Sequence, residues 1–204
     1  RVFVSGIPVR RGFGAHADRD DIRRREGLDR ERPLVLLLCG GFGVGPTRGL
    51  FRQLLAMEDD VQIVAVAGRN ELLRMDLERQ ASVSRKAVRV LGFSDRMHEW
   101  MTVADLLVSK PGGLTASEAL VSGLPMVIVH PIPGPERRNS DYLLEKGAAV
   151  KINTDAMLGY AVGQLLRNRP RLERFRQNAL SIARPGAADR IAEDAIEMLE
   201  SGSD

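Results

Sequence analysis

The chain has 204 residues, 44% of them apolar, 28% charged and 4% aromatic, and a net charge of +3. That apolar share is enough for a packed core and excludes a disordered chain, while no apolar run approaches the roughly 18 residues of a membrane span. The positive excess lies in residues 1–33, with nine Arg against six acidic groups, so the rest of the chain is balanced; with so few aromatics it lacks both the basic face and the stacking surface of a nucleic-acid binder.

Arg1-Val2-Phe3-Val4-Ser5 is too short for the apolar region of a signal peptide, and the chain opens without Met. It is expected to be a piece of something longer. The single cysteine, Cys39, permits no internal disulfide, fits a reducing compartment and is read as a small core residue.

Residues 1–33 are expected to form an arm, extended over 2–9 and carrying one short charged helix over 20–27. Asp18-Arg19-Asp20 has the D-x-D form that some sugar transferases use for a divalent metal, but no apolar strand precedes it. It is read as a solvated charge cluster. Leu34-Val35-Leu36-Leu37-Leu38-Cys39 is a continuous apolar run, as suits a central parallel strand covered on both faces.

That run enters a glycine turn, Gly40-Gly41-Phe42-Gly43-Val44-Gly45-Pro46. Two nucleotide motifs fail here. Gly40 and Gly45 have P-loop spacing, but Pro46 stands where the lysine should reach the terminal phosphates. After Gly41 and Gly43 the next glycine is one position early for the dinucleotide fingerprint. A helix is predicted over 47–57, a strand over 61–67, a helix over 71–81 and a strand over 88–91. A helix over 95–103 and a strand over 104–108 follow.

Ser109-Lys110-Pro111-Gly112-Gly113-Leu114-Thr115-Ala116-Ser117-Glu118 then reads as strand end, glycine turn and helix start. Adjacent glycines let an anion approach the backbone. Free N–H groups and the helix dipole would hold it there. Thr115 and Glu118 also fit a capping box, with Thr115 as the N-cap, and the sequence leaves both readings open. A strand over 124–129 leads into the proline-rich turn His130-Pro131-Ile132-Pro133-Gly134-Pro135. A helix over 136–146, a short strand over 148–152 and helices over 154–166, 170–183 and 187–200 complete the chain.

Alternating strands and helices mean βαβ units and a doubly wound parallel sheet. The turns at 40–45, 109–115 and 130–139 all follow strands. They therefore share the carboxyl rim, where such sheets bind ligands. His16, His98 and His130 have no partners at metal-ligand spacing, and there is no nucleophile elbow. Glu58-Asp59-Asp60 lies in a turn at the opposite end of the sheet and is read as solvated surface. The residues describe a phosphate-binding platform without its own acid–base pair.

Three segments together resemble the C-terminal domain of GT-B glycosyltransferases. They are Lys110-Pro111-Gly112-Gly113-Leu114-Thr115 with Ser117-Glu118-Ala119-Leu120, Gly123-Leu124-Pro125-Met126, and Pro133-Gly134 with Glu136 and Asn139. Gly6-Ile7-Pro8-Val9 resembles the family's lead-in to this domain, and Gly92-Phe93-Ser94-Asp95 with Met97 its base-binding segment. Within these enzymes the chain is most similar to diacylglycerol glucosyl- and galactosyltransferases (monogalactosyldiacylglycerol synthases, processive diacylglycerol glucosyltransferases), and more distantly to the lipid II N-acetylglucosaminyltransferase.

The resemblance implies a Rossmann-like fold, the C-terminal half of GT-B, with a UDP-sugar donor as substrate and no cofactor or metal. It places the uracil at Gly92, Phe93 and Met97 and the ribose at Glu118. It assigns the diphosphate to Gly112, Gly113, Leu114 and Thr115, the sugar and phosphate to Gly134, Glu136 and Asn139, and the cleft wall to Gly41 and Phe42. It also implies that residues 34–184 form the donor domain, 1–33 an arm from an absent N-terminal domain and 185–204 a C-terminal helix and tail. That absent domain would carry the lipid acceptor site, the membrane surface and the general base, with the whole enzyme cytoplasmic and peripheral at the inner membrane face. One departure stands out: Pro135 occupies the place of the family's Gln in the sugar loop. The competing readings are a GT-B nucleotide-sugar 2-epimerase, for which no extra acid–base residues are seen, and a non-catalytic nucleotide-binding module.

Overall fold

The computed structural model describes residues 4–15, 17–38 and 46–201. Cys39, His16 and the turn over 40–45, with Gly41 and Phe42, lie outside the described residues. In chain order the elements are α1 (Arg19–Arg25), β1 (Leu34–Leu38), α2 (Thr47–Leu55), β2 (Gln62–Val66), α3 (Glu71–Ser82), β3 (Ala87–Leu91), α4 (Met97–Val103) and β4 (Leu106–Ser109). Then come α5 (Gly113–Val121), β5 (Met126–Ile128), α6 (Pro135–Glu145), β6 (Ala149–Lys151), a 3-10 turn (Asp155–Met157), α7 (Leu158–Arg167), α8 (Arg169–Ile182) and α9 (Ala187–Ser201). Among the described residues no helix is long and apolar enough to cross a membrane.

The strands form one parallel six-stranded sheet in the order β3-β2-β1-β4-β5-β6. The order reverses direction between β1 and β4, which is the point where doubly wound sheets open a crevice. The continuous apolar runs are explained by burial on both faces. Along β1, Val35 and Leu37 enter one core with α2, α3 and α7, while Leu34 and Leu36 enter the other with α4, α5 and the arm. β3 is an edge strand and keeps Arg89 and an exposed Ala87 among its apolar residues.

β4 starts two residues later than the apolar run suggests. Ala104 and Asp105 are used to close the α4–β4 turn: Asp105 N donates to Leu34 O at 2.8 Å, and its Oδ2 accepts from Leu34 N at 2.8 Å. The helix predicted over 154–166 likewise begins as a 3-10 turn before α7.

The segment read as an arm packs as part of the same body. Phe13 and Ile22 are buried in the second core. Arg23 is only 1% exposed. Its Nη1 donates to the carbonyls of Asp29, Arg30 and Arg32 at 2.9, 2.9 and 3.1 Å, and its Nη2 to Val103 O at 2.8 Å and Asp105 Oδ2 at 2.9 Å. Arg19 reaches the other oxygen of Asp105 at 2.5 Å. Burial, and next the Arg19 charge, lower the Arg23 pKa, against the pull of Asp105. The clamp fixes residues 19–33 to the amino ends of β1 and β4.

Candidate functional site

The site begins with the β4–α5 turn. Ser109 ends β4 buried, and Pro111, Gly112 and Gly113 carry the chain straight into α5. The N-cap is Gly112, at φ −61° and ψ 148°, and no side chain caps the helix. Ala116 N already bonds Gly112 O at 2.8 Å, so Thr115 lies inside the first turn and is not the cap. This overturns the capping-box reading. The N–H groups of the first turn, at Gly113, Leu114 and Thr115, therefore have no side-chain partner, and the positive end of the α5 dipole points off the rim.

The two glycines do different work. A Cβ on Gly112 would meet nothing within 4 Å, so its face is open to an incoming group. A Cβ on Gly113 would sit 2.9 Å from Ile7 Cδ1. A side chain on Gly113 would press on the movable end of Ile7, so only Gly112 fits the expected open approach.

Glu118 comes one turn later, half-buried. Among the described residues no hydrogen bond engages its carboxylate, so the group is not consumed by a cap. Burial pushes its pKa up, against the field of Arg10. Arg10 is a neighbour of the site that sequence reasoning passed over. Its Nη2 donates to Asp95 O at 3.1 Å, and its guanidinium lies 6.0 Å from the Phe13 ring, which in turn meets His98 edge-on. The arm thereby sets a cation between the β3–α4 turn and Glu118. The only signal was position, directly after Gly6-Ile7-Pro8-Val9.

The β3–α4 turn presents Gly92 and Phe93 at the surface. Phe93 is 67% exposed and has the Arg69 guanidinium 5.1 Å from its ring centroid. An exposed, cation-backed ring offers a free face for stacking. Met97, expected beside them, is half-buried at the start of α4, with part of its side chain against the second core. It supports the segment from below.

The β5–α6 turn closes the other side. Gly134 has φ 105° and ψ −128°, which a side chain would strain, and a Cβ there would meet only open space. Pro135 starts α6, where a missing N–H does no harm. Glu136 Oε2 accepts from Ile132 N at 2.8 Å and stiffens the turn. Asn139 Nδ2 donates to Pro111 O at 2.9 Å and ties α6 to the β4–α5 turn. Glu136 and Asn139 each use one polar atom on the scaffold, leaving Glu136 Oε1 and the Asn139 oxygen.

The remaining charged motifs are structural. Asp18 caps α1 by accepting from Asp20 N and Asp21 N at 2.8 and 3.2 Å. Asp59 pairs with Arg167, and Asp60 with Arg32 at 3.2 Å. Among the described residues no cluster of three or more His, Cys, Asp or Glu could hold a metal ion.

Residues 18–181 match the family described as Glycosyl transferases group 1. A processive diacylglycerol beta-glucosyltransferase of Bacillus licheniformis is 32% identical over 199 residues, covering 98% of this chain and 52% of that protein. The chain thus spans about half the length of the curated relatives it matches. The crystal structure of Acinetobacter baumannii MurG aligns with a TM-score of 0.69 at 23% identity, over 89% of this chain and 53% of that one. Anabaena Alr3699/HepE in complex with UDP-glucose aligns at 0.68 and 18% identity, over 94% and 56%. At these identities the solved structures speak for the fold, and the sheet is the C-terminal half of a GT-B fold. With its family profile matched over most of its length, the chain belongs to the group 1 glycosyl transferases.

Proposed function

We propose that the chain is the donor-binding half of a metal-independent glycosyltransferase that moves a hexose from a UDP-sugar to a lipid acceptor such as diacylglycerol. The observation that carries this reading is the pairing of an uncapped α5 N-terminus with an unengaged Glu118 on the rim beside the switch point. The names of the sequence relatives support the lipid acceptor, and the UDP-glucose in the Anabaena neighbour supports the donor.

In this reading the uracil lies on Gly92 and Phe93, and Glu118 accepts from the ribose hydroxyls. The diphosphate lies at Gly112, Gly113, Leu114 and Thr115. Gly134, Glu136 and Asn139 border the transferred sugar; the cleft wall that the resemblance assigns to Gly41 and Phe42 lies outside the described residues. When the bond from the anomeric carbon to the diphosphate oxygen breaks, the electron pair stays on UDP. Negative charge grows where the α5 dipole and N–H groups already point, so the leaving group is stabilised without a metal. Arg10 adds a fixed cation near the nucleoside. The general base, the acceptor site and the contact with the inner face of the membrane belong to the part of the relatives that this chain does not span.

Calorimetric titration of UDP into the chain, with a chelator present, tests the reading. Metal-free binding that weakens by roughly 1–3 kcal/mol in Glu118→Ala, the cost of losing hydrogen bonds to a charged group, is the expected result. Binding that appears only on adding a divalent cation would overturn metal independence. Binding that ignores Glu118→Ala would overturn the ribose assignment.

A further inference from the structure

We propose that His130, held by Asp155, reads the hexose of the donor and separates UDP-sugar from UDP. The inference rests on the donor reading above and deepens it.

His130 is the residue with a positive φ that is not glycine among the described residues, at 44°. A side-chain-bearing residue held in that region is strained, and such strain persists only where the surroundings enforce it. Here they do. The imidazole Nε2 lies 2.6 Å from Asp155 Oδ1. A carboxylate can only accept, so Nε2 carries the proton and donates. The other carboxylate oxygen leans over the first turn of α2: a Cβ built on Gly49 would be 3.1 Å from Asp155 Oδ2. That turn has no acidic residue and no side-chain cap of its own, so Asp155 supplies the negative charge its dipole favours. The imidazole is therefore oriented from two sides, by its backbone and by an anchored carboxylate. Nδ1 is left over, and among the described residues nothing bonds it. The side chain is 40% exposed, so that nitrogen is within reach of a ligand.

Strand order says which part of a donor would meet it. The nucleoside end lies at the carboxyl end of β3 and the diphosphate at that of β4, with β2 and β1 between. The next strand in the same direction is β5, one spacing of about 4.8 Å further. Val129 N bonds Ser109 O at 3.1 Å, so the chain leaves β5 at His130 directly beside the β4–α5 turn. Ile152 N bonds Ile128 O at 3.1 Å, which brings the Asp155 turn off β6 alongside. Whatever is bonded to the diphosphate on the β5 side meets this pair. The other polar groups of the same turn are partly engaged with the scaffold, Glu136 with Ile132 N and Asn139 with Pro111 O, and Pro135 has none to offer. The free Nδ1 can form one hydrogen bond with a sugar hydroxyl, which both donates and accepts, and UDP alone has no group there to offer.

The test is a titration of UDP, UDP-glucose and UDP-galactose into the wild-type chain, His130→Gly, His130→Asn and Asp155→Asn. Glycine relieves the backbone strain, so His130→Gly removes the imidazole without unfolding the turn. The expected result is a wild type that binds at least one UDP-hexose more tightly than UDP. His130→Gly should lose about tenfold of that affinity, the effect of about one hydrogen bond, while keeping its UDP affinity. His130→Asn, which tolerates the same φ and can bond a hydroxyl, should restore part of the loss. In nuclear magnetic resonance spectra the His130 ring signals should move on adding UDP-hexose and not on adding UDP. An unchanged preference in His130→Gly overturns the inference, as does equal binding of UDP and both UDP-hexoses by the wild type. Equal weakening of UDP and UDP-hexose in the variants would make the pair a support for the turn and overturn it too. A wild type that binds none of the three removes the donor site itself, a different failure from loss of sugar preference.

Discussion

The two ends of the sheet treat their polar groups in opposite ways. At the amino end a cleft of about 270 Å³ is lined by Arg19, Arg23, Arg30 and Asp105, and most of these groups are matched. Asp105 receives two guanidinium groups and a backbone N–H, and Arg23 meets four carbonyls and a carboxylate, leaving only Nε without a partner. At the carboxyl end α5 starts without a cap, Glu118 has no hydrogen bond and His130 is held in a strained backbone conformation. The groups at the amino end are spent on the fold, whereas those at the carboxyl end stay available, which is what the proposed donor site needs. The amino-end cleft is therefore not the better site, because most of its polar groups already have partners.

This contrast can be broken by substitution, and the largest effect belongs to the saturated end. Asp105→Ala leaves Arg23 buried without its counter-charge, and urea denaturation should show a loss of about 3 kcal/mol. The UDP affinity of the protein that remains folded should not change. A loss below about 1 kcal/mol would mean that the carbonyls alone satisfy Arg23.

The open end should behave in reverse. Glu118→Gln should weaken UDP binding by roughly 1–3 kcal/mol while leaving thermal stability at neutral pH unchanged or higher. The sign follows from the raised pKa of Glu118, caused by burial. Between its ordinary and its raised value the folded state holds a proton that the unfolded state has released, so stability falls as pH rises through that window. Above the window the buried charge is a burden on the fold, and glutamine removes it. A clear drop in melting temperature would show that Glu118 serves the fold.

The same shift predicts a pH effect on binding. As pH falls, Glu118 takes up its proton before an ordinary carboxylate would and ceases to accept from both ribose hydroxyls. UDP affinity should decline more on the acid side in the wild type than in Glu118→Gln, which keeps only the titration of the UDP phosphate itself, read by titration at a series of pH values. Smaller still is Gly113→Ala: the added Cβ presses on the movable end of Ile7, so about 1 kcal/mol or less of stability should go. Least of all, Arg167→Ala removes an exposed pair with Asp59 and should change stability by less than about 1 kcal/mol.

Much of the fold was legible because its signals are local. Five apolar residues in a row over Leu34–Leu38 can only be covered on both faces, and the alternation of such runs with helical segments implies a parallel sheet. The turns after β4 and β5 announced themselves through Gly112-Gly113 and through Pro131, Pro133 and Gly134. Their placement on one rim followed from connectivity alone. The capping box did not survive, because α5 has its N-cap at Gly112, three residues before Thr115, and Thr115 falls inside its first turn.

By itself, then, the sequence determined the order of the elements, the parallel sheet and the rim that the glycine and proline turns share, since each depends on neighbours in the chain. Tertiary structure decided which groups there are free. Arg10 reaches the carbonyl of Asp95, 85 positions away, and Asp155 finds His130 across 25. Met97 rests partly against the core while Phe93 stays out. A carboxylate that binds and one that merely caps have the same letters around them. They differ in what other segments bring within hydrogen-bonding distance, and that is settled only when the chain has closed on itself.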